Sequence, residues 1–236
     1  MRVATMHTGG DKDIDLYMDA IEEASARAGF TKEQIREKRH AFDHSSGAPR
    51  PQQIPRLKDL GMMVSQINTV LWEPQRGAAL MARKYGVEYT SWVVPRKSLV
   101  DNQVINTFEI DRPMPYKMFF FILKGINRYN DYDKKVYGPD QRTSREIQLK
   151  ALTTWAGSYF LKERVMGSLE PGKVADFIVL DRDFMTIPED DIPNTQVLMT
   201  SVGGKVVHLT EAMGKEIGMP AVGATTWKEK LPEGWK

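Results

Sequence analysis

Between residues 2 and 111 the chain alternates short apolar segments with helical ones, and this alternation restricts its fold more than any other feature. Strands are expected at 2–7, at 38–44 ("KRHAFDH"), at 62–68 ("MMVSQIN") and near 104–110. After the first, Ile14, Tyr17, Ile21 and Ala24 recur at spacings of three and four, so an amphipathic helix is expected over 11–28 with Gly29 as its stop. Thr31 and Gln34 have the form of a capping box opening another short helix. In "RPQQIPRLKDLG" Leu57 and Leu60 lie one helical turn apart and Gly61 ends the pattern. A further helix is expected around Arg76 to Tyr85, and Pro113 and Pro115 stop the fourth strand.

The segment 116–165 reads as helical, broken by the polar stretch "NRYNDYDKKVYGPDQ", with a second capping box at Thr143 and Glu146. From Gly167 the pattern changes to short β segments, "ADFIVLD", "VLMTSVGG" and "KVVHL", and the tail from about Thr210 reads as irregular. Two regions are therefore expected, 1–165 and 166–236. Strand and helix in alternation imply parallel βαβ units and an α/β class. A closed β/α barrel needs eight strands and about 250 residues. The four strands visible here belong either to an open sheet or to part of a barrel.

Charge and composition exclude several partners. The formal charge is +2, from 33 basic and 31 acidic residues, which gives no electrostatic case for nucleic acid or an anionic membrane. The longest notable apolar run, Met118 to Leu123, is too short to span a bilayer. With no cysteine there is neither a disulfide framework nor a thiolate metal site. Asp11, Lys12 and Asp13 stand where the apolar part of a signal peptide would continue, and a cytoplasmic location is the expectation. Any metal must be held by carboxylates and by the histidines His7, His40, His44 and His208.

His7, His44 and Asp111 each fall at the C-terminal end of an expected parallel strand. In β/α barrels and open α/β sheets that end carries the active site. Neutral imidazoles and a carboxylate suit a zinc-type divalent ion. A lone histidine at a strand end is more often a hydrogen-bonded structural group, and Asp111 before Arg-Pro also suits a turn. Three such residues on separate strands weigh towards a site. His40, four residues before His44 and expected on the same strand face, is either a substrate contact or a packed histidine. Gln66 and Asn68 at the end of the third strand are either substrate-binding groups or ordinary strand-end residues. Gly9 and Gly10 either offer backbone N–H groups to a ligand or permit a sharp turn. His208 receives no role.

Together, "MHTGGD", "RHAFDH", "IPRLKDLGMMVSQ", "IDRP" and "GSLEPGKVADFIVLDRDFMTIPEDDI…VLMTSVGGKVV" resemble the amidohydrolase superfamily, and within it amidohydrolase family 3, the YtcJ-like proteins. The last motif, 167–207, is the most specific. One departure stands out: the family usually shows Gly-Ser-Asp where this chain has Glu109-Ile110-Asp111.

The resemblance covers nearly the whole chain but only the second half of the family pattern. It implies a partial (β/α)8 TIM barrel of about four strands with a small C-terminal β region. His7 and His44 would be metal ligands, and Asp111 both ligand and general base. The implied reaction is metal-dependent hydrolysis of amide-like, non-peptide C–N bonds in a small molecule, with zinc as the expected ion. The family's first-strand His-x-His pair and its fourth-strand bridging residue have no counterpart here, so weak metal occupancy and little or no turnover are expected of the isolated chain. The open strand edges imply self-association or a complementary half-barrel chain. The alternative is a catalytically incompetent structural or interaction subunit that needs such a partner.

Overall fold

The computed structural model describes residues 1–4, 6–44, 49–73, 77–111 and 118–223. In chain order the elements are β1 (Met6–His7), α1 (Asp11–Arg27), α2 (Lys32–Lys38), β2 (Ala41–Asp43), α3 (Ile54–Asp59), β3 (Met63–Ile67), α4 (Thr69–Trp72), α5 (Ala78–Tyr85), α6 (Val87–Ser91), α7 (Arg96–Asp101), β4 (Asn106–Glu109), α8 (Met118–Asn127), β5 (Tyr129–Asn130), β6 (Lys135–Val136), α9 (Arg145–Leu152), α10 (Thr154–Tyr159), β7 (Phe177–Leu180), β8 (Val197–Val202), β9 (Lys205–Leu209) and α11 (Glu211–Ile217). The first four strands form one parallel sheet in the order β1-β2-β3-β4. β7, β8 and β9 form an antiparallel sheet. The architecture is an open segment of a β/α barrel joined to a small β region.

The helices form because one stripe of each is apolar. Ile14, Tyr17, Met18 and Ile21 of α1 are buried against Leu57 of α3, Phe42 of β2 and Val64 of β3. The capping box at α2 is present in full: the Gln34 backbone N–H donates to Thr31 Oγ1 and the Thr31 N–H to Gln34 Oε1. Before α9 the cap shifts by one residue. Ser144, not Thr143, accepts from the Ile147 N–H, because the Thr143 hydroxyl is engaged with Gly125 and Gln148. The polar stretch within 116–165 is not simply a helix break: it forms the hairpin β5-β6, whose turn is organised by Asn130 accepting from Tyr132 and Asp133. The expected stops Pro113 and Pro115, and Arg76 at the expected start of α5, lie outside the described residues.

Backbone pairing at the first strand runs further than its two ladder residues. The Ala41 N–H donates to Val3 O, and the Thr8 N–H to Asp43 O. β1 has a neighbour on one side, and Met6 and His7 are exposed. β4 lies differently: α9 and α10 pack against it, and Asn106 to Phe108 are buried. Among the described residues β4 too has a strand neighbour on one side only, but these helices cover it, whereas β1 is exposed.

A buried polar relay ties β3 and β4 to the helices. Arg96, 1% exposed, donates to Asn106 Oδ1 at 2.7 Å, Thr107 O at 3.1 Å and Asn68 Oδ1 at 3.3 Å. Asn68 Nδ2 donates in turn to Phe121 O and to Gln148 Oε1. The relay needs Gly125 of α8, since a Cβ there would collide with the amides of both Gln148 and Asn68. A core shared by α8 with Phe184, Ile192 and Val197 joins the small β region to the barrel segment. Gly125→Ala is expected to destabilise the chain by about 1–3 kcal/mol, the usual cost of overpacking a filled site. A lowered urea midpoint would show it, and an unchanged midpoint would mean that the relay has room to shift.

Candidate active site

Parallel registration brings the strand ends to one rim. His7 of β1 is paired with Asp43 of β2, and His44 follows directly. The two imidazole rings meet edge to face, with centroids 4.3 Å apart and planes at 80°. Asp111 lies two residues beyond β4, and its Oδ1 is 3.6 Å from His44 Nε2. The three residues expected to form the site are thus in contact as two pairs, with His44 at the centre.

Both His44 and Asp111 have left-handed backbones, with φ of 71° and 73°. Aspartate and histidine enter this region more readily than most residues, and such conformations cluster where function fixes the chain. The His44 backbone is held there by a group the sequence reading did not single out. Glu109, the last residue of β4, accepts from the His44 N–H at 2.7 Å, and the same Oε1 lies 3.0 Å from His44 Nδ1. Burial pushes the Glu109 carboxyl above its ordinary range, and the His44 contacts oppose the shift. The sequence signal for it was available: a carboxylate stands where the resembled family has glycine.

Tyr159 was also missed. It packs with Ala41, Met63, Ala4 and Ile105 on the face of the sheet to which Glu109, by strand alternation with Ile105, also points. Its hydroxyl donates to Asp43 Oδ1, next to His44. Burial first, and that hydrogen bond second, push its phenol strongly upward. A tyrosine inside a helix carries no local mark of such a role.

The remaining candidates are placed elsewhere. His40 precedes β2 and so lies at the opposite end of the strand from His44, which is past the strand rather than on a shared face. It is buried, and its Nδ1 accepts from the Val3 N–H. Gln66 is fully buried on the same strand face as Val64, towards the helices, and both of its amide atoms lack a hydrogen-bond partner among the described residues. Asn68 is a member of the buried relay. The N–H groups of Gly9 and Gly10 both donate to Asp13 Oδ2, at the start of α1.

Imidazole and carboxylate are the right donors for a divalent ion, and His7, His44 and Asp111 fit one in kind. Among the described residues, no group of three or more such side chains is already disposed around a single point.

The comparisons agree with this architecture. The model of the amidohydrolase family matches residues 3–208, and the chain belongs to that family, within amidohydrolase family 3. It is 26% identical over 207 residues to the Protein LONG AFTER FAR-RED 3 of Arabidopsis thaliana, a match covering 86% of this chain and 33% of that protein. An uncharacterized metal-dependent hydrolase of Pyrococcus furiosus superposes with a TM-score of 0.59 at 26% identity, over 79% of this chain and 34% of that one. Its counterpart from Pyrococcus horikoshii gives a TM-score of 0.61 at 25% identity, over 80% and 36%. The chain therefore spans about a third of the length of these relatives.

Burial lowers the pKa of His40 from its ordinary 6.5. The unfolded chain takes up a proton near 6.5 that the folded chain refuses. The stability His40 contributes is thus complete above that pH and is lost as pH falls towards the folded-state value. Urea midpoints measured at pH 7.5 and 5.5 are expected to drop less for His40→Gln than for the unaltered chain, and equal drops would contradict this account.

Proposed function

We propose that His7, His44 and Asp111 contribute to the metal site of a hydrolase acting on amide-like, non-peptide C–N bonds of a small molecule. The observation that carries the reading is the meeting of the three side chains at one strand rim, 4.3 Å between the imidazole centroids and 3.6 Å from His44 to Asp111. Family membership and the two archaeal relatives, both metal-dependent hydrolases by description, support it. Zinc suits the donor set best.

When bound, such an ion lowers the pKa of a coordinated water to about 7. His7 and His44 would hold it through neutral ring nitrogens. Asp111 is exposed beside His44, and its role would be to accept a proton from the attacking water and return it to the leaving nitrogen. Positioned proton transfer of this kind is worth roughly 10²–10⁴-fold in rate. The exposed edge of β1 is the place for a complementary barrel half or a second copy to add a strand.

Calorimetric titration of the purified chain with zinc tests the reading. Weak but saturable binding is expected, abolished in a His7→Ala/His44→Ala double variant and reduced by Asp111→Asn. Binding indifferent to both substitutions would sink it. A second reading, a structural or interaction subunit without catalysis, draws on the two-at-a-time arrangement of the donors; complete absence of zinc binding would favour it. Sedimentation at micromolar concentration is expected to show self-association, and a clean monomer would count against the open-edge argument.

A further inference from the structure

We propose that Glu109 is a positioning residue that presets His44 for a cation, holding its backbone left-handed and its ring as the Nδ1–H tautomer with Nε2 free. The inference rests on the metal-site reading above and adds to it a residue for which the resembled family offers no counterpart.

The geometry is specific. One oxygen, Glu109 Oε1, faces two nitrogens of the same residue: the backbone N–H of His44, which donates to it at 2.7 Å, and the ring Nδ1 at 3.0 Å. Oε1 already accepts from the backbone N–H, and as acceptor towards both nitrogens it satisfies the pair only if Nδ1 carries the hydrogen. In a neutral imidazole that leaves the lone pair on Nε2. Nε2 is the nitrogen on the Asp111 side, 3.6 Å from Oδ1. The grip therefore aims the coordinating nitrogen at the shared rim.

The two contacts also act together. Fixing the main chain alone would leave the ring free to rotate, and fixing the ring alone would leave a left-handed φ of 71° unsupported. The side chains are shielded enough for the bonds to count, at 16% exposure for His44 and 21% for Glu109. Glu109 closes β4, and β4 is fixed through Asn106 and Thr107 by Arg96. The carboxylate is thus presented from a rigid strand rather than a loop. Carboxylates that orient a ligating histidine through its other ring nitrogen typically change metal affinity by about 10–100-fold.

The test uses the whole chain in three forms: unaltered, Glu109→Ala and the near-isosteric Glu109→Gln. Two quantities are measured: the His44 tautomer in zinc-free protein, from ¹⁵N–¹H correlations of the ring, and zinc affinity, by competition with a chromophoric chelator. The unaltered chain is expected to show Nδ1–H. Glu109→Ala is expected to shift His44 towards Nε2–H and to weaken zinc by about 10–100-fold. Glu109→Gln, with only a neutral acceptor, is expected to move both readouts in the same direction, and it carries the test if the alanine variant does not fold. An Nε2–H tautomer in the unaltered chain, or a tautomer unmoved by either substitution, overturns the proposal even if zinc still binds. Should zinc bind to none of the three while the tautomer shifts, the positioning role stands and the metal-site reading falls.

Discussion

Arg96 is the interaction on which the sheet depends. It is a fully buried guanidinium whose named partners are neutral oxygens, those of Asn106, Thr107 and Asn68, and it lies over the Phe108 ring at 5.7 Å. Taking a charge out of water is costly unless its donors are satisfied, and withdrawing one partner leaves the cost in place. β3 and β4 must therefore keep the spacing that brings Asn68 and Asn106 to the same guanidinium. Asn68 turns its other end to Phe121 and Gln148, so α8 and α9 are bound by the same requirement. The position of Glu109, and through it of His44, follows from where this relay sets β4.

The order of strands and helices was legible where an element repeats an apolar period, as in Ile14, Tyr17 and Ile21; the polar hairpin β5-β6 and the helix α11, expected as a helix break and an irregular tail, carry no such clear period. Strand ends were legible less well: β1 and β2 are shorter than the spans expected at 2–7 and 38–44, since a ladder needs a partner strand in register. That His7, His44 and Asp111 come to one rim was legible because residues at the same ends of parallel strands line up along one edge of the sheet. His40 misled by its spacing from His44, which assumed that the strand continues through both. Glu109 and Tyr159 act across elements distant in sequence, and a single chain does not show which distant residues will meet. The same holds for Thr143, whose hydroxyl is drawn from its expected cap by partners 18 and 5 residues away.

Membership of the amidohydrolase family explains the frame of the site better than its detail. The frame is a run of parallel strands with imidazoles and a carboxylate at their C-terminal ends. The detail lies in two contacts on one face of the sheet: a glutamate gripping the central histidine, and a phenol bonded to Asp43 beside it. Both contacts act on β2 and its extension, so His44 is braced directly by Glu109 and, through its neighbour Asp43, by Tyr159.

Among the described residues His7 has no such brace beyond its strand pairing. β1 hangs from β2 along a single ladder, with Arg2 tethered to Arg39 O and Tyr159 O behind it. Any sag of that margin carries one ring away from the other while leaving the second in its grip. The contact between the two imidazoles is consequently a gauge of how well the rim of the sheet holds its shape, and it would be the first to register thermal loosening.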